Sequence, residues 1–266
     1  MKQRDFKRIC VISDFHGGHN VGLTPPSWQY KITKHDITKR NKYARIQSEC
    51  YNQYTSQLDK FKPFDMCFDL ADNIDGRGEK SGGTELITSD RDNQVKMAIE
   101  CIEYIEAKKH AFVYGTPYHT GQLEDWENRI ADHFKSKIGA HEWINVNGVV
   151  FDLKHKIGSS SIPHGRGTAL GRDILWNSLW AEMNAQPKAD IFLRGHTHYY
   201  QVFGNSQKKG FICPALQAMG SKYGSRECSG IVDFGFLVFD VYNNGRYVWH
   251  ENIVSIQAQQ AKATVL

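Results

Sequence analysis

Aspartate and histidine side chains recur in this sequence directly after short apolar runs that have the composition of buried strands. Six positions have this placement: Asp14, His16, Asp72, His155, His196 and His198. Carboxylate oxygens and imidazole nitrogens form the usual ligand set for zinc, manganese and iron. Because ligands that follow successive strands meet at one edge of a sheet, we expect these side chains to converge on one metal site.

A single histidine is more often a structural or surface residue than a ligand. That interpretation applies to His35, His110, His133, His141 and His250. Two segments differ because each places two ligands on one strand end or turn. They are Asp14-Phe15-His16 and Gly195-His196-Thr197-His198. Neither segment is decisive alone, and together they favour a metal site over isolated structural histidines.

The first half of the chain predicts alternating strands and helices. Strands are predicted at residues 8–13, 65–70 and 111–114, each ending where polar residues begin. Helices are predicted at residues 43–58 and 95–105, where apolar residues recur at helical spacing. Ser89 and Asp92 stand in the positions of a capping box at the start of the second helix.

The second half predicts mainly β structure. Strands are predicted at residues 149–153, 190–193, 199–203, 211–214 and 234–242, with one helix near residues 174–183. Antiparallel pairing is expected here, and Asn244-Gly245 predicts a type I′ hairpin turn, in which both central residues have positive φ. Residues 256–266 are expected to form a frayed tail. The whole pattern predicts a single domain, residues 1–266, of mixed α/β class with two sheets flanked by helices.

The composition excludes several classes of protein. The chain has 266 residues, of which 40% are hydrophobic and 12% aromatic, enough for a substantial core. Its net charge of +4 is too small to identify a nucleic-acid-binding protein by itself. No apolar run approaches the roughly 20 residues of a membrane helix, and the charged N-terminus does not resemble a signal peptide, so we expect a cytoplasmic protein. The six cysteines form no Cys-x-x-Cys pair and are expected to be reduced core thiols.

Two loops near the predicted strand ends carry excess positive charge. Residues 17–41 form a long irregular segment, and the basic segment, residues 31–45, holds six lysines and arginines against the single acid Asp36. The second loop, residues 158–172, holds His164 and Arg166. Both loops either contact a substrate or form solvated surfaces, and the sequence leaves these two alternatives open.

Five segments, in this order along the chain, resemble the motifs of the calcineurin-like metallophosphoesterases. They read Asp14-Phe15-His16, Ala71-Asp72-Asn73-Ile74-Asp75, Gly115-Thr116-Pro117-Tyr118-His119, Lys154-His155 and Gly195-His196-Thr197-His198. Their order and spacing are similar to the family's over residues 8–204. The likeness is strongest to the compact phosphoesterases of phage and prophage genomes.

The resemblance implies a four-layer α-β-β-α sandwich of two mixed sheets and a pair of divalent metal ions. Asp14, His16, Asp72 and His198 would hold the first ion, while Asp72, His155, His196 and Thr116 would hold the second. Manganese is the expected metal, with zinc, iron and nickel as alternatives. Such a pair activates a bridging hydroxide that attacks a phosphate ester, and His119 would orient the phosphate or protonate the leaving oxygen.

Three departures from the family's motifs carry expectations of their own. Ala71 replaces the glycine beside the bridging aspartate, which requires that the backbone there avoid positive φ. Thr116 replaces an asparagine amide, so the second ion is expected to be held more weakly. His119 lies two residues later in its motif than the family's histidine. Asp75 is either a supporting carboxylate or a further ligand.

The leading function is hydrolysis of a phosphodiester in a nucleic acid or a nucleotide. The compact chain leaves little room for a large cap over the site, and the basic segment suits such a substrate. A phosphomonoesterase acting on a phosphoprotein or a small phosphate shares the metal core and differs only in its loops. The third alternative is a catalytically degenerate member that keeps the fold as a binding module.

Overall fold

The computed structural model describes residues 4–37, 40–121, 125–221 and 232–260, together with residues 263 and 265. Lys39 of the basic segment and Cys228 lie outside these residues. The strands are β1 (Phe6–Ile12), β2 (Met66–Asp69), β3 (Lys109–Val113), β4 (Ile138–Gly139), β5 (Glu142–Val146), β6 (Val149–Lys154), β7 (Ile191–Arg194), β8 (Gln201–Gly204), β9 (Lys209–Ile212), β10 (Phe234–Tyr242) and β11 (Tyr247–Val254). The helices are α1 (Arg40–Asp59), α2 (Arg91–Glu103), α3 (Pro117–Thr120), α4 (Glu127–His133) and α5 (Thr168–Glu182).

The first sheet has six strands in the order β11-β10-β1-β2-β3-β4. β1, β2, β3 and β4 run parallel, whereas β10 pairs antiparallel with both β1 and β11. The register places Phe6 of β1 opposite Tyr242 of β10. β1 therefore has partners on both sides, and its last four residues are buried. A continuous apolar run suits this position, because a strand covered on both faces does not alternate.

The second sheet has five strands in the order β5-β6-β7-β9-β8. Its central strands β6, β7 and β9 are parallel, and the edge pairs β5–β6 and β8–β9 are antiparallel. Antiparallel pairing throughout the second half is therefore wrong at the centre of this sheet. The reason is α5, which connects β6 to β7 and supplies the long crossover that parallel neighbours require.

The two sheets pack face to face around a shared apolar core. The ring centroids of Phe68 and Phe151 are 5.4 Å apart, and Phe239 contacts Phe151 and Phe211 at 5.5 and 5.3 Å. Helices α1, α2 and α4 cover the opposite face of the first sheet, and α5 packs on the second sheet through Leu170. The expected arrangement of two mixed sheets flanked by helices is confirmed.

Two local expectations need correction. Helix α2 is capped by Asp90, whose carboxylate accepts from Asn93 N at 3.1 Å; Ser89 is not the cap, because the aspartate one residue later supplies the same acceptor. The β10–β11 hairpin is present, but Gly245 has a φ of +80° while Asn244 does not have a positive φ. Gly245 N donates to the oxygen of residue 242 at 3.0 Å, which gives a type I turn followed by a glycine bulge instead of a type I′ turn.

The first residues of the expected tail are docked on α1. Ile256 is buried, and a short 3₁₀ turn follows it. The two carboxylate oxygens of Glu49 accept hydrogen bonds from this turn, one from Gln257 N at 2.7 Å and one from Ala258 N at 2.8 Å. The expectation of a frayed tail is therefore wrong for this segment.

Five cysteines lie in the described residues, and all five are buried and free of disulfides. Burial raises the pKa of each of these thiols above its ordinary value, which keeps them neutral. Among the described helices, none combines the length and the apolar character that a membrane span requires.

Candidate metal centre

The predicted ligands stand on loops that follow strands of both sheets. Asp14 and His16 follow β1, Asp72 follows β2, His155 follows β6, and His196 and His198 follow β7. Backbone hydrogen bonds tie these loops together: Asp14 N donates to Ala71 O at 2.9 Å, and Gly195 N donates to His155 O at 2.9 Å. The carboxyl ends of central strands from both sheets therefore meet at one edge of the molecule, which we call the ligand edge.

The backbone of the ligand edge is strained. Six non-glycine residues have φ between +48° and +76°: Asp14, His16, Ala71, Asp72, His196 and His198. This left-handed region costs an L-residue about 1–2 kcal/mol, and such residues concentrate at functional sites. The φ of +72° at Ala71 contradicts the expectation of a negative φ there. One local and one tertiary hydrogen bond hold this conformation, since Ala71 N donates to Asp69 Oδ1 at 2.8 Å and Ala71 O accepts from Asp14 N.

Asp14, His16 and His198 form the first group of potential metal ligands. The Nε2 atoms of His16 and His198 are 3.2 Å apart, and Asp14 Oδ1 lies 3.2 Å from His198 Nε2. Asp14 Oδ2 accepts from Ser13 Oγ and His196 N, whereas Oδ1 is buried without a hydrogen-bond partner. The protein thus leaves three donor atoms facing one another, as a bound cation requires.

Asp72, His155 and His196 form the second group. His155 Nδ1 donates to the backbone oxygen of Leu70, so in the neutral ring Nε2 keeps its lone pair. This Nε2 lies 3.0 Å from Asp72 Oδ2 and is itself buried without a hydrogen-bond partner. A metal-ligating histidine has this arrangement, in which a carbonyl or carboxylate orients the nitrogen that does not bind the metal.

Asp75 lies between His16 and His119, and the three form a further group of potential ligands. Asp75 Oδ1 is 3.1 Å from His16 Nδ1 and 3.6 Å from His119 Nδ1. His16 Nδ1 donates to this carboxylate, which leaves His16 Nε2 for the first group. His119 Nδ1 donates to the Asp75 backbone oxygen at 3.0 Å. Of the two alternatives for Asp75, this geometry favours a supporting carboxylate that orients two histidines.

Thr116 lies beside the Asp72 carboxylate. Its backbone N–H donates to Asp72 Oδ1 at 2.7 Å, and its hydroxyl lies 3.2 and 3.1 Å from the two carboxylate oxygens. Gly115 must be a glycine, because a Cβ at this position would approach Asp72 Oδ1 to 2.2 Å. The loop after β3 therefore fixes the Asp72 carboxylate through direct hydrogen bonds and close contact.

Burial and mutual charge shift the pKa values of these groups. Burial alone raises the pKa of a carboxyl group, but the His155 charge lowers that of Asp72 to about 2. Burial lowers the pKa of His155, yet Asp72 raises it to about 10. Burial and then the neighbouring His119 lower the pKa of His16 to about 4. Asp72 is therefore ionised and His16 neutral at pH 7, which are the forms that bind a metal, whereas His155 carries a proton that it would release to a bound metal ion.

The two ligand groups open into one cavity of about 260 Å³. His16, Asp72, His196 and His198 lie along one side of it. The remaining wall mixes apolar and polar groups. Its apolar side chains include Val21, Ala218, Met219 and Val232, and its polar ones include His19, Lys80, Ser81, Glu85, Gln217 and Ser221. His119 also lines the cavity, next to His16 with 4.5 Å between ring centroids.

The two residues of the second loop lie elsewhere. His164 is exposed in a 3₁₀ turn, and the guanidinium of Arg166 lies 4.4 Å from the ring centroid of Tyr199. Neither belongs to the described lining of the cavity. Their predicted contact with a substrate stays a prediction.

Two buried side chains that no motif contains also support the site. Gln94 of α2 accepts from Gly76 N and donates to Gly76 O, both at 2.8 Å, and so holds the loop that carries Asp75. Glu127 of α4 accepts from backbone N–H groups of two ligand loops. The only sequence signal for either residue is a polar side chain among the apolar positions of a helix.

The residues of the ligand edge fit divalent metal ions. Carboxylate and imidazole donors from two groups share one cavity, and Asp14 Oδ1 and His155 Nε2 lack hydrogen-bond partners within the described chain. Nearly all buried polar atoms in proteins have partners, and a bound cation would supply one to each of these two atoms.

No protein-family model and no curated protein matches this chain. Several solved structures do. Vps29 from Entamoeba histolytica in complex with Zn²⁺ is 12% identical, covers 92% of this chain and 98% of its own, and has a TM-score of 0.42. A novel archaeal phosphodiesterase is 11% identical, with coverage of 92% and 99% and a TM-score of 0.47. A predicted phosphoesterase from Streptococcus pneumoniae is 10% identical, with coverage of 94% and 99% and a TM-score of 0.36. At these identities the likeness concerns the fold alone.

Proposed function

We propose that this protein is a metal-dependent phosphoesterase of the calcineurin-like type that hydrolyses phosphodiesters. The observation that carries the proposal is the pair of adjoining ligand groups, one around Asp14 and one around Asp72, which open into the same cavity. The five sequence segments that resemble the family's motifs supply these same side chains. Two neighbouring carboxylate–imidazole groups are the arrangement by which metallohydrolases hold the pair of metal ions that binds a phosphoryl group.

Asp14, His16, Asp72 and His198 would hold one ion, and Asp72, His155, His196 and Thr116 would hold the other. Manganese is the proposed metal, and zinc, iron and nickel suit the same donors. When bound, such ions supply Lewis-acid activation of a phosphoryl group and of a water molecule. The chain's own contribution is to keep the carboxylates ionised and the donor nitrogens oriented.

His119 is the proposed general acid. Its Nδ1 is held by the Asp75 backbone oxygen, so Nε2 is the nitrogen from which a proton can pass to the leaving oxygen. The Asp75 carboxylate, 3.6 Å from Nδ1, balances the charge of the protonated ring. General acid catalysis by a positioned histidine contributes typically about 10²–10⁴ in rate.

The position of the basic segment supports a nucleic acid or a nucleotide diester as the substrate. Lys42 Nζ donates to the oxygen of Gly220, a residue of the cavity wall, at 2.7 Å. Arg40 packs against the ring of Tyr30. The hydroxyl of Tyr30 donates to Asn20 Oδ1 at 2.8 Å, and Asn20 follows His19, which lines the cavity. The described lysines and arginines of this segment are exposed and therefore available to phosphates.

Hydrolysis of bis-p-nitrophenyl phosphate and of p-nitrophenyl phosphate by metal-stripped protein reloaded with manganese tests the proposal. We expect preferential cleavage of the diester and a loss of more than about 100-fold in Asp72→Asn, beyond the range of changes at outer partners. Metal-dependent turnover that is unchanged in Asp72→Asn contradicts the dinuclear site. Preferential cleavage of the monoester selects a phosphomonoesterase, and metal binding without cleavage of either ester selects a binding module.

If the substrate is a nucleic acid, the lysines of the basic segment should contribute to its binding. Replacement of Lys31 and Lys34 by glutamine should lower cleavage of single-stranded DNA more than cleavage of bis-p-nitrophenyl phosphate. It should also flatten the salt dependence of DNA cleavage, because fewer counterions are released. An equal effect on both substrates contradicts this part of the proposal.

A further inference from the structure

Glu127 joins two loops of the ligand edge although it belongs to none of the five motif segments. It lies in the first turn of α4 and is 1% exposed. Its Oε1 accepts from Asn73 N at 2.9 Å, and its Oε2 accepts from Gly115 N at 2.9 Å. A single buried carboxylate thus binds one backbone N–H of each loop.

The two N–H groups stand directly beside the groups that would bind the second ion. Asn73 follows Asp72 in the chain, and Gly115 precedes Thr116, whose N–H and hydroxyl contact the Asp72 carboxylate. The contact is tight, since a Cβ on Gly115 would come within 2.2 Å of Asp72 Oδ1. A displacement of either loop therefore moves the Asp72 carboxylate relative to Thr116.

We propose that Glu127 is a positioning residue that sets the distance between the Asp72 loop and the Thr116 loop, and thereby the affinity of the second metal position. It acts on the ligands through backbone N–H groups and does not contact the substrate. The metal-binding part of this inference rests on the proposed function, whereas the joining of the two loops does not.

The Glu127→Gln variant separates the joining of the two loops by hydrogen bonds from the packing of the side chain. Glutamine has nearly the same shape, but its amide offers one acceptor oxygen and one NH₂ group, so it can accept from only one of the two N–H groups. Glu49→Gln is the matched control. Glu49 also accepts two backbone N–H groups with its two oxygens, from Gln257 and Ala258, which belong to none of the ligand loops.

Manganese binding to stripped protein, measured by calorimetry, and amide hydrogen exchange of the metal-free chain test the proposal together. In Glu127→Gln we expect the weaker manganese site to lose about 10–100-fold in affinity, as changes at outer partners of metal ligands typically do. We also expect the amide of Asn73 or of Gly115 to exchange about 10-fold faster, as for one lost hydrogen bond. Glu49→Gln should change neither quantity.

The two measurements separate failure of this inference from failure of the proposed function. If wild-type protein takes up no manganese or other divalent ion, the proposed function fails, and the exchange of the two amides alone decides the role of Glu127. If Glu127→Gln binds manganese as wild type does, or if both amides keep wild-type exchange rates, the positioning role is overturned. An equal loss of metal affinity in Glu49→Gln also overturns it, because the effect would then follow general stability.

Discussion

Two buried charge clusters lie one residue apart on β7 and its following loop, and they differ in completeness. The first is the Arg194 cluster, in which the guanidinium contacts Asp152 Oδ1 at 2.8 Å and donates to Asp173 Oδ2 at 2.9 Å. It also donates to two backbone oxygens, and His141 Nε2 contacts Asp152 at 2.8 Å. The second is the ligand edge, where Asp14 Oδ1 and His155 Nε2 have no hydrogen-bond partner among the described residues.

The difference separates a cluster that the protein completes by itself from one that it leaves open. Arg194 neutralises the carboxylates around it, so the Arg194 cluster needs no further ion. At the ligand edge, by contrast, the Nε2 atoms of His16 and His198 face each other at 3.2 Å, and the described charged contacts of Asp14 and Asp72 are to histidines instead of an arginine or lysine.

We expect the largest loss of stability from a substitution that breaks the Arg194 cluster. Asp152→Asn leaves the charge of Arg194 buried without its closest carboxylate, and we expect a loss of about 3–5 kcal/mol in the free energy of unfolding. Urea denaturation of the metal-free protein measures it. A loss below about 1 kcal/mol would mean that the Arg194 cluster is not held by this ion pair.

A divalent metal should complete the open cluster and stabilise the fold. At a manganese concentration about 100-fold above its dissociation constant, binding to the native state alone adds about 2.7 kcal/mol to the free energy of unfolding. Thermal unfolding with manganese and with a chelator measures this gain. Asp72→Asn should lose most of the gain, whereas Asp152→Asn should keep it. No stabilisation of the wild type by any divalent ion contradicts an open metal site.

The destabilisation caused by Asp152→Asn should also depend on pH. Burial alone raises the pKa of Asp152, but the His141 hydrogen bond and the Arg194 charge hold it below its ordinary value. Its stabilising contribution is therefore fully present above the unfolded pKa of about 3.9 and is lost as the pH falls below that value. The destabilisation caused by Asp152→Asn should shrink below pH 4 in urea denaturation series. A constant difference from pH 7 to pH 3 is the contrary result.

The smallest expected effect concerns the strained backbone of the ligand edge. Ala71→Gly relieves about 1–2 kcal/mol of left-handed strain and loses a similar amount through backbone entropy and a buried methyl group. Its free energy of unfolding should stay within about 1 kcal/mol of wild type. Ala98→Gly, in the interior of α2, has no strain to relieve and should cost about 2 kcal/mol. Equal losses in the two variants would show that Ala71 is not strained.

The convergence of the ligands could be predicted from sequence because each one follows an apolar run. A polar residue such as Asp14 or Asp72 at the end of such a run marks the carboxyl end of a strand. Parallel neighbours bring those ends to one edge, and the structure places the two residues there, with Asp14 N bound to Ala71 O. The two-sheet layering followed from the same alternation of strands and helices.

Other features depend on contacts between distant segments and had little or no local signal. The left-handed conformation of Ala71 depends on a hydrogen bond from the distant Asp14 as well as on a local one to Asp69, whereas alanine alone disfavours it. The parallel centre of the second sheet depends on where α5 packs. The sequence shows Glu127 only as a polar residue in line with the apolar Ile130 and Ala131 of α4, and the approach of two loops makes it a buried acceptor.

The pairing of β1 with β10 affects how the chain folds during synthesis. Residues 6–12 carry the first two ligands at their end, yet one edge of this strand finds its partner only at residues 234–242. At synthesis rates of about 5–20 residues per second, the N-terminal strand waits roughly 10–50 s for that partner. During this interval it presents an apolar, unpaired edge, and pairings this remote in sequence are also slow to form. The centre of the first sheet is thus both the scaffold of the ligands and a segment that can pair with another chain while the protein is made.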